Sequence, residues 1–100
     1  MYMLREVLQA ERGKAPEIVA AFKAIDQWFG KAGYTNRRMY VDYTGPMDAV
    51  AYQWEFESLD QYFGMERDTF VDPDENTKAL LDTMNANAKS GKKEIYEVIQ

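Results

Sequence analysis

An α+β, ferredoxin-like fold of order β-α-β-β-α-β is predicted by three features of the sequence. Val50, Tyr52, Trp54 and Phe56 alternate with Ala51, Gln53 and Glu55, the period-two signature of a strand with one apolar face. Ile18, Phe22, Ile25 and Phe29 recur at helical spacing, so one face of a helix must be buried. Asp72-Pro73-Asp74-Glu75 combines a cap, a first-turn proline and an acid at the capping-box position, which starts a second main helix. An all-helical chain is excluded by the alternation at 38–44 and 50–56. Residues 1–100 are therefore expected to form a single domain, with an antiparallel sheet and its helices on one face.

Taken in order, residues 3–10 read as a first strand, followed by a turn around Gly13. Pro16 suits a first helical position and Glu17 the positive end of the helix dipole, giving a helix over 16–31. Gly33 is the candidate left-handed cap. Residues 36–44 form a second strand, and the short turn Gly45-Pro46-Met47-Asp48 makes 36–44 and 49–57 an antiparallel pair. Ser58 with Gln61 is a capping-box pattern, so a helix follows directly. The segment 64–71 is the least regular and reads as a flexible loop. Leu80, Leu81, Met84 and Ala88 supply the stripe of the last helix, Ser90-Gly91 end it, and 92–99 is the final strand.

Composition narrows the function classes. A chain of 100 residues buries about 65% of its unfolded surface, which leaves little room for an internal site and favours a cavity shared between subunits. The net charge of −5 argues against a nucleic-acid partner, and the basic groupings Arg37-Arg38 and Lys89, Lys92, Lys93 read as solvated loop ends. Without cysteine or histidine there is no disulfide, thiolate zinc site, cysteine nucleophile or histidine-ligated haem. Asp68, Asp72, Asp74 and Glu75 lack the spacing of a calcium loop, Asp72 and Glu75 being explained by capping, so no metal is expected. No glycine-rich fingerprint supports a flavin or nucleotide, so no cofactor is expected either. The first residues lack a signal peptide's apolar core and no run approaches membrane-spanning length, which makes a cytoplasmic protein the default.

Strand parity assigns Leu4, Leu8, Met39, Val41, Tyr43, Tyr52, Trp54, Phe56, Tyr96 and Val98 to the helix side, with Glu6 the exception. The other face then carries Arg5, Val7, Gln9, Arg38, Tyr40, Asp42, Ala51, Gln53, Glu55, Ile95, Glu97 and Ile99. That mixture is neither a solvated polar comb nor a dry core. A second copy packed sheet to sheet across a twofold axis would cover it and close a barrel with a partly polar interior.

This layout resembles the dimeric α+β barrel superfamily. The run Val50-Ala51-Tyr52-Gln53-Trp54-Glu55-Phe56-Glu57-Ser58-Leu59-Asp60-Gln61-Tyr62 is similar to the third strand and following helix of NIPSNAP-like members. Leu4-Arg5-Glu6-Val7-Leu8 with Gly13-Lys14-Ala15-Pro16 is a looser match to their first strand and turn. The resemblance implies a homodimer and leaves the reaction open, because the superfamily holds monooxygenases, haem-handling proteins, isomerising enzymes and members without assigned activity.

The candidate ligand-binding residues are Arg38, Tyr40, Asp42, Trp54 and Glu55. Arg38, Tyr40 and Asp42 alternate on one strand and could meet an anionic or phenolic ligand, or satisfy one another across a dimer interface. Trp54 could line an aromatic cavity or simply fill the core. Glu55 or Glu97 could accept a proton if burial raised its pKa. Three functions stay open: a small-molecule-binding homodimer of unassigned activity, a cofactor-independent monooxygenase or isomerase acting on an aromatic or polyketide-like substrate, and a structural dimerisation module. The observation that separates the enzyme from the rest is a pocket joining a carboxylate to an aromatic wall, with no arginine neutralising the carboxylate.

Overall fold

A computed structural model describes residues 1–45 and 47–99. Four strands, β1 (Tyr2–Ala10), β2 (Thr35–Val41), β3 (Ala49–Phe56) and β4 (Ala88–Glu97), form one sheet of order β2-β3-β1-β4 with every neighbouring pair antiparallel. Helices α1 (Ala15–Lys31), α2 (Leu59–Glu66) and α3 (Glu75–Asn87), with a π-helical turn over Arg67–Val71, complete the chain. The expected ferredoxin-like α+β architecture is present. Leu4, Ile18, Phe22, Val50 and Tyr52 are fully enclosed where α1 meets the middle of the sheet.

Local chemistry explains the boundaries of α1. Ile18, Ala21, Phe22, Ile25 and Phe29 are its buried face. At its end Gly33 has φ +89°, its N–H donates to the Gly30 carbonyl at 3.3 Å, and the Tyr34 N–H donates to the Phe29 carbonyl at 3.1 Å. This pair of bonds is a Schellman motif, sealed by the Tyr34 ring standing edge-on to Phe29 with centroids 5.0 Å apart. A Cβ on Gly33 would meet no neighbour within 4 Å, so substitution is opposed by backbone conformation alone. Gly33→Ala should lower stability by about 1–2 kcal/mol, the cost of the left-handed region for an L-residue. In urea the midpoint should fall at unchanged m-value, and an unchanged midpoint would show that the cap is dispensable.

Four boundary expectations are corrected. β2 stops at Val41, because the Asp42 carboxylate turns back to accept the N–H groups of Thr44 and Gly45, and Tyr43 is left 99% exposed rather than facing the helices. Segment 64–71 is helical: α2 continues to Glu66 and the π turn follows, holding Met65 and Phe70 against the interior. The cap of α3 is Asp74, which accepts the Thr77 N–H at 2.8 Å, rather than Asp72. The helix gives way to β4 at Ala88, so Ser90 and Gly91 lie inside the strand. Gly91 sits opposite Leu8, where a Cβ would come within 2.7 Å of the leucine side chain. At Ser58 the capping pattern is present in modified form: its Oγ accepts the Gln61 N–H at 3.2 Å, while the Gln61 amide accepts the Glu57 N–H at 3.1 Å.

The register of β4 on β1 reverses the faces expected for it. Leu4 pairs with Ile95, Glu6 with Lys93 and Tyr2 with Glu97, so Ile95, Lys93 and Glu97 share the helix side, and Tyr96 turns to the open face. Val98 and Ile99 lie beyond the strand. Tyr96 and Val98 are thus not helix-side residues, and Glu6, the odd charge on that side of β1, is accounted for by Lys93.

The candidate ligand cavity

A cavity of about 230 Å³ opens between the helix side of the sheet and the layer formed by α1, α2, the π turn and α3. It lies within one chain, next to the sheet, and its small volume is in keeping with the short chain. Its walls are largely aromatic and aliphatic: Phe22, Ile25 and Phe29 from α1, Tyr52 and Trp54 from β3, and Tyr62 from α2. One end is charged, with Glu6 from β1, Glu66 from α2 and Lys93 from β4.

The charged end is unevenly neutralised. The Lys93 Nζ lies 3.0 Å from a Glu66 oxygen, where it donates a hydrogen bond, and 3.6 Å from a Glu6 oxygen, beyond hydrogen-bonding range. The Glu6 side chain is only 16% exposed, and the longer contact with Lys93 is its one ion pair among the described residues. Burial raises its pKa above the ordinary carboxylate value, Lys93 pulls it back only in part, and Glu66 adds to the rise. Burial alone would lower the Lys93 ammonium, but Glu6, Glu66 and Tyr62 outweigh it and push it up to about 12. The Tyr62 phenol is also pushed up to about 12, by burial first, with Lys93 opposing and Glu66 reinforcing the rise.

The aromatic wall is pinned from outside the cavity. The Tyr52 hydroxyl donates to Asp26 Oδ1 at 2.7 Å, the Arg37 Nε donates to the same oxygen at 2.8 Å, and Arg37 Nη1 donates to the Tyr34 carbonyl at 2.7 Å. Arg37 is therefore a half-buried structural cation and not a solvated loop end. Burial would raise the Asp26 pKa, yet the hydrogen bonds from Tyr52 and Arg37 with the arginine charge bring it below the usual range. Burial and then Asp26 drive the Tyr52 phenol far upward, so it stays a neutral donor. The Trp54 indole lies tilted by 55° against the Phe29 ring, their centres 4.7 Å apart, and its N–H is enclosed without a hydrogen-bond partner among the described residues.

Of the five residues singled out from sequence, the structure brings only Trp54 to this cavity. Arg38 and Tyr40 lie on the open face of β2, paired with Gln53 and Ala51, and Glu55 shares that face. Asp42 closes the turn after β2. Parity separates them, since Trp54 and Glu55 are consecutive and point to opposite sides. Sequence reasoning passed over Glu6, Glu66 and Lys93 as a set. The signal for Glu6 was present, a charge at a helix-side position of β1, but its partner depended on the β4 register. Among the described residues no three carboxylates come together in a metal-binding arrangement, and no helix is long and apolar enough to cross a membrane.

No family profile and no curated protein matches the sequence. Solved structures do match in three dimensions. Protein Atu4242 from Agrobacterium tumefaciens, a NIPSNAP family protein of unknown function, superposes with a TM-score of 0.80 at 15% identity, over 100% of this chain and 95% of that one. A NIPSNAP domain protein from Burkholderia xenovorans gives 0.79 at 12% identity, over 99% and 95% of the two chains. The fold is NIPSNAP-like. An antibiotic biosynthesis monooxygenase shares it, with a TM-score of 0.76 at 11% identity over the whole of both chains. The run 50–62 that carries the NIPSNAP resemblance forms β3 and the start of α2, so in this NIPSNAP-like fold it contributes Tyr52, Trp54 and Tyr62 to the cavity.

Proposed function

We propose that this protein is a homodimer in which each subunit binds a small, largely apolar, ring-bearing molecule in the cavity between sheet and helices. The supporting observation is the cavity itself. An apolar cavity of about 150 Å³ is enough for benzene. At about 230 Å³ this one has room for a ring with a short substituent, and it is smaller than the ~300 Å³ at which drug-sized sites begin. Flat aromatic walls favour a flat guest, since stacked or edge-on rings gain contact beyond simple burial. The dimer is supported by the open face of the sheet, where Tyr40 and Tyr96 stay 46% and 44% exposed beside the half-buried Val7 and Ala51. A cytoplasmic location is part of the same proposal, in keeping with a chain that uses no cysteine.

A second reading, a cofactor-independent monooxygenase or isomerase, is favoured by Glu6, a carboxylate beside an aromatic wall with no arginine in the cavity lining. The antibiotic biosynthesis monooxygenase of like fold supports the same reading.

Binding can be tested with indole. Saturable broadening of its proton resonances by the protein, abolished in Leu81→Trp, which puts a larger side chain into the cavity lining, is the expected result. Broadening that does not saturate, or that survives Leu81→Trp, would remove the cavity from consideration. Light scattering should give twice the 11.6 kDa chain mass across a dilution series, and a monomer throughout would sink the dimer.

A further inference from the structure

We infer that the cavity selects an arylalkylamine cation, with Glu6 receiving the ammonium and the aromatic walls receiving the ring. The inference rests on the cavity being a ligand site and assigns the chemistry of its guest. Three charged groups meet at one end, and their sum is negative: Glu6 and Glu66 face a single ammonium, Lys93. That ammonium is held closer by Glu66, at 3.0 Å, which leaves Glu6 with the longer contact at 3.6 Å. A mostly buried carboxylate whose one cation is held closer by another acid is under-supplied with donors, and a group that brings both donors and positive charge relieves it. A primary ammonium brings three N–H groups and one charge.

The surroundings fit a cation better than an anion. Glu6 stands opposite Tyr52 on β3, and Leu4, two residues away, stands opposite Trp54, so carboxylate and indole are diagonal neighbours on one sheet face. Such neighbours lie about 7–8 Å apart, within the span of an aromatic ring and a two-carbon arm. The faces of Tyr52, Trp54 and Phe29 also attract cations through their ring quadrupoles. A carboxylate guest would instead meet Glu6 and Glu66 with only one shared lysine to offset them.

Three probes of equal length separate the alternatives: 2-phenylethylamine, 2-phenylethanol and phenylacetate, titrated by calorimetry into the intact protein at neutral pH. The amine should bind about tenfold or more tightly than the alcohol, the size of one charge-assisted hydrogen bond, and phenylacetate should bind most weakly. Glu6→Gln should bring the amine down to the level of the alcohol and leave the alcohol unchanged. In the native protein, amine affinity should fall as acid protonates Glu6, at a pH above that of an ordinary carboxylate, with Lys93, Glu66 and Tyr62 the charged or titratable groups facing it. Equal binding of amine and alcohol, or a preference for phenylacetate, overturns the inference while the cavity remains a ligand site. Binding of none of the three overturns both. The ranking in the native protein decides the matter even if Glu6→Gln fails to fold.

Discussion

Phe22→Ala should cost about 3–5 kcal/mol, the range for truncating a buried phenylalanine. Phe22 is completely enclosed, and its ring centre stands 5.4 Å from that of Tyr52. A domain of this size has only about 5–15 kcal/mol in total, and each kcal/mol shifts Tm by about 4–8 °C, so a fall of at least about 12 °C is expected. The loss has a second consequence because Phe22 also lines the cavity, and the void left behind joins it. Indole should therefore restore more stability to Phe22→Ala than it gives the native protein, through binding to the folded state alone. A loss under about 1.5 kcal/mol would mean that the site collapses on truncation, and that the cavity is too soft to hold a shape.

Lys93→Met keeps most of the unbranched side chain and removes the cation that Glu6 and Glu66 share. Breaking a fully buried pair costs about 3–5 kcal/mol, but the Lys93 side chain is 45% exposed and water screens part of the charge. A loss of about 1–2 kcal/mol at pH 7 is the discounted expectation. The pH dependence is the sharper signature. The folded-state pKa of Glu6 is already above its ordinary value of 4.5, and without Lys93 it must rise further. A carboxylate whose pKa is raised by folding binds more protons in the folded state, so stability increases as pH falls through the folded pKa. The deficit of Lys93→Met relative to the native protein should therefore be largest at neutral pH and close on approach to pH 4.5. A deficit independent of pH would show that the lysine matters only as a hydrocarbon arm.

How much of this could be read from the sequence follows a physical divide. The alternation at 50–56 and the stripe Ile18, Phe22, Ile25, Phe29 report burial directly, so β3, α1 and the fold class were legible. The Gly33 cap was legible for the same reason, as a residue type needed by one backbone conformation. The end of α3 was not. Ser90 and Gly91 look like a stop signal, but Gly91 is chosen for its lack of a side chain beneath Leu8, a contact 83 positions away in the chain. A separate misreading, placing Tyr96 and Val98 on the helix side, inverted β4 and hid the Glu6–Lys93 pair, because the register against β1 is a long-range property. The segment 64–71 was misread because a π turn has no apolar periodicity to reveal it. The candidate site suffered most, since it is assembled from β1, β3, β4, α1, α2 and α3 at once.

The direct passage from Asn87 into Ala88 has a mechanical meaning. If the helical layer yields to a guest, α3 is the part least free to do so, because it is spliced without slack to the strand that carries Lys93. Swinging α3 outward would drag on the ladder between β4 and β1 and pull the ammonium from its carboxylates. On the opposite side the Arg67–Val71 turn already departs from regular helical winding, with its extra residue per turn as reserve length. The cavity thus has a fixed jamb at α3 and a more yielding one at the turn that carries Phe70.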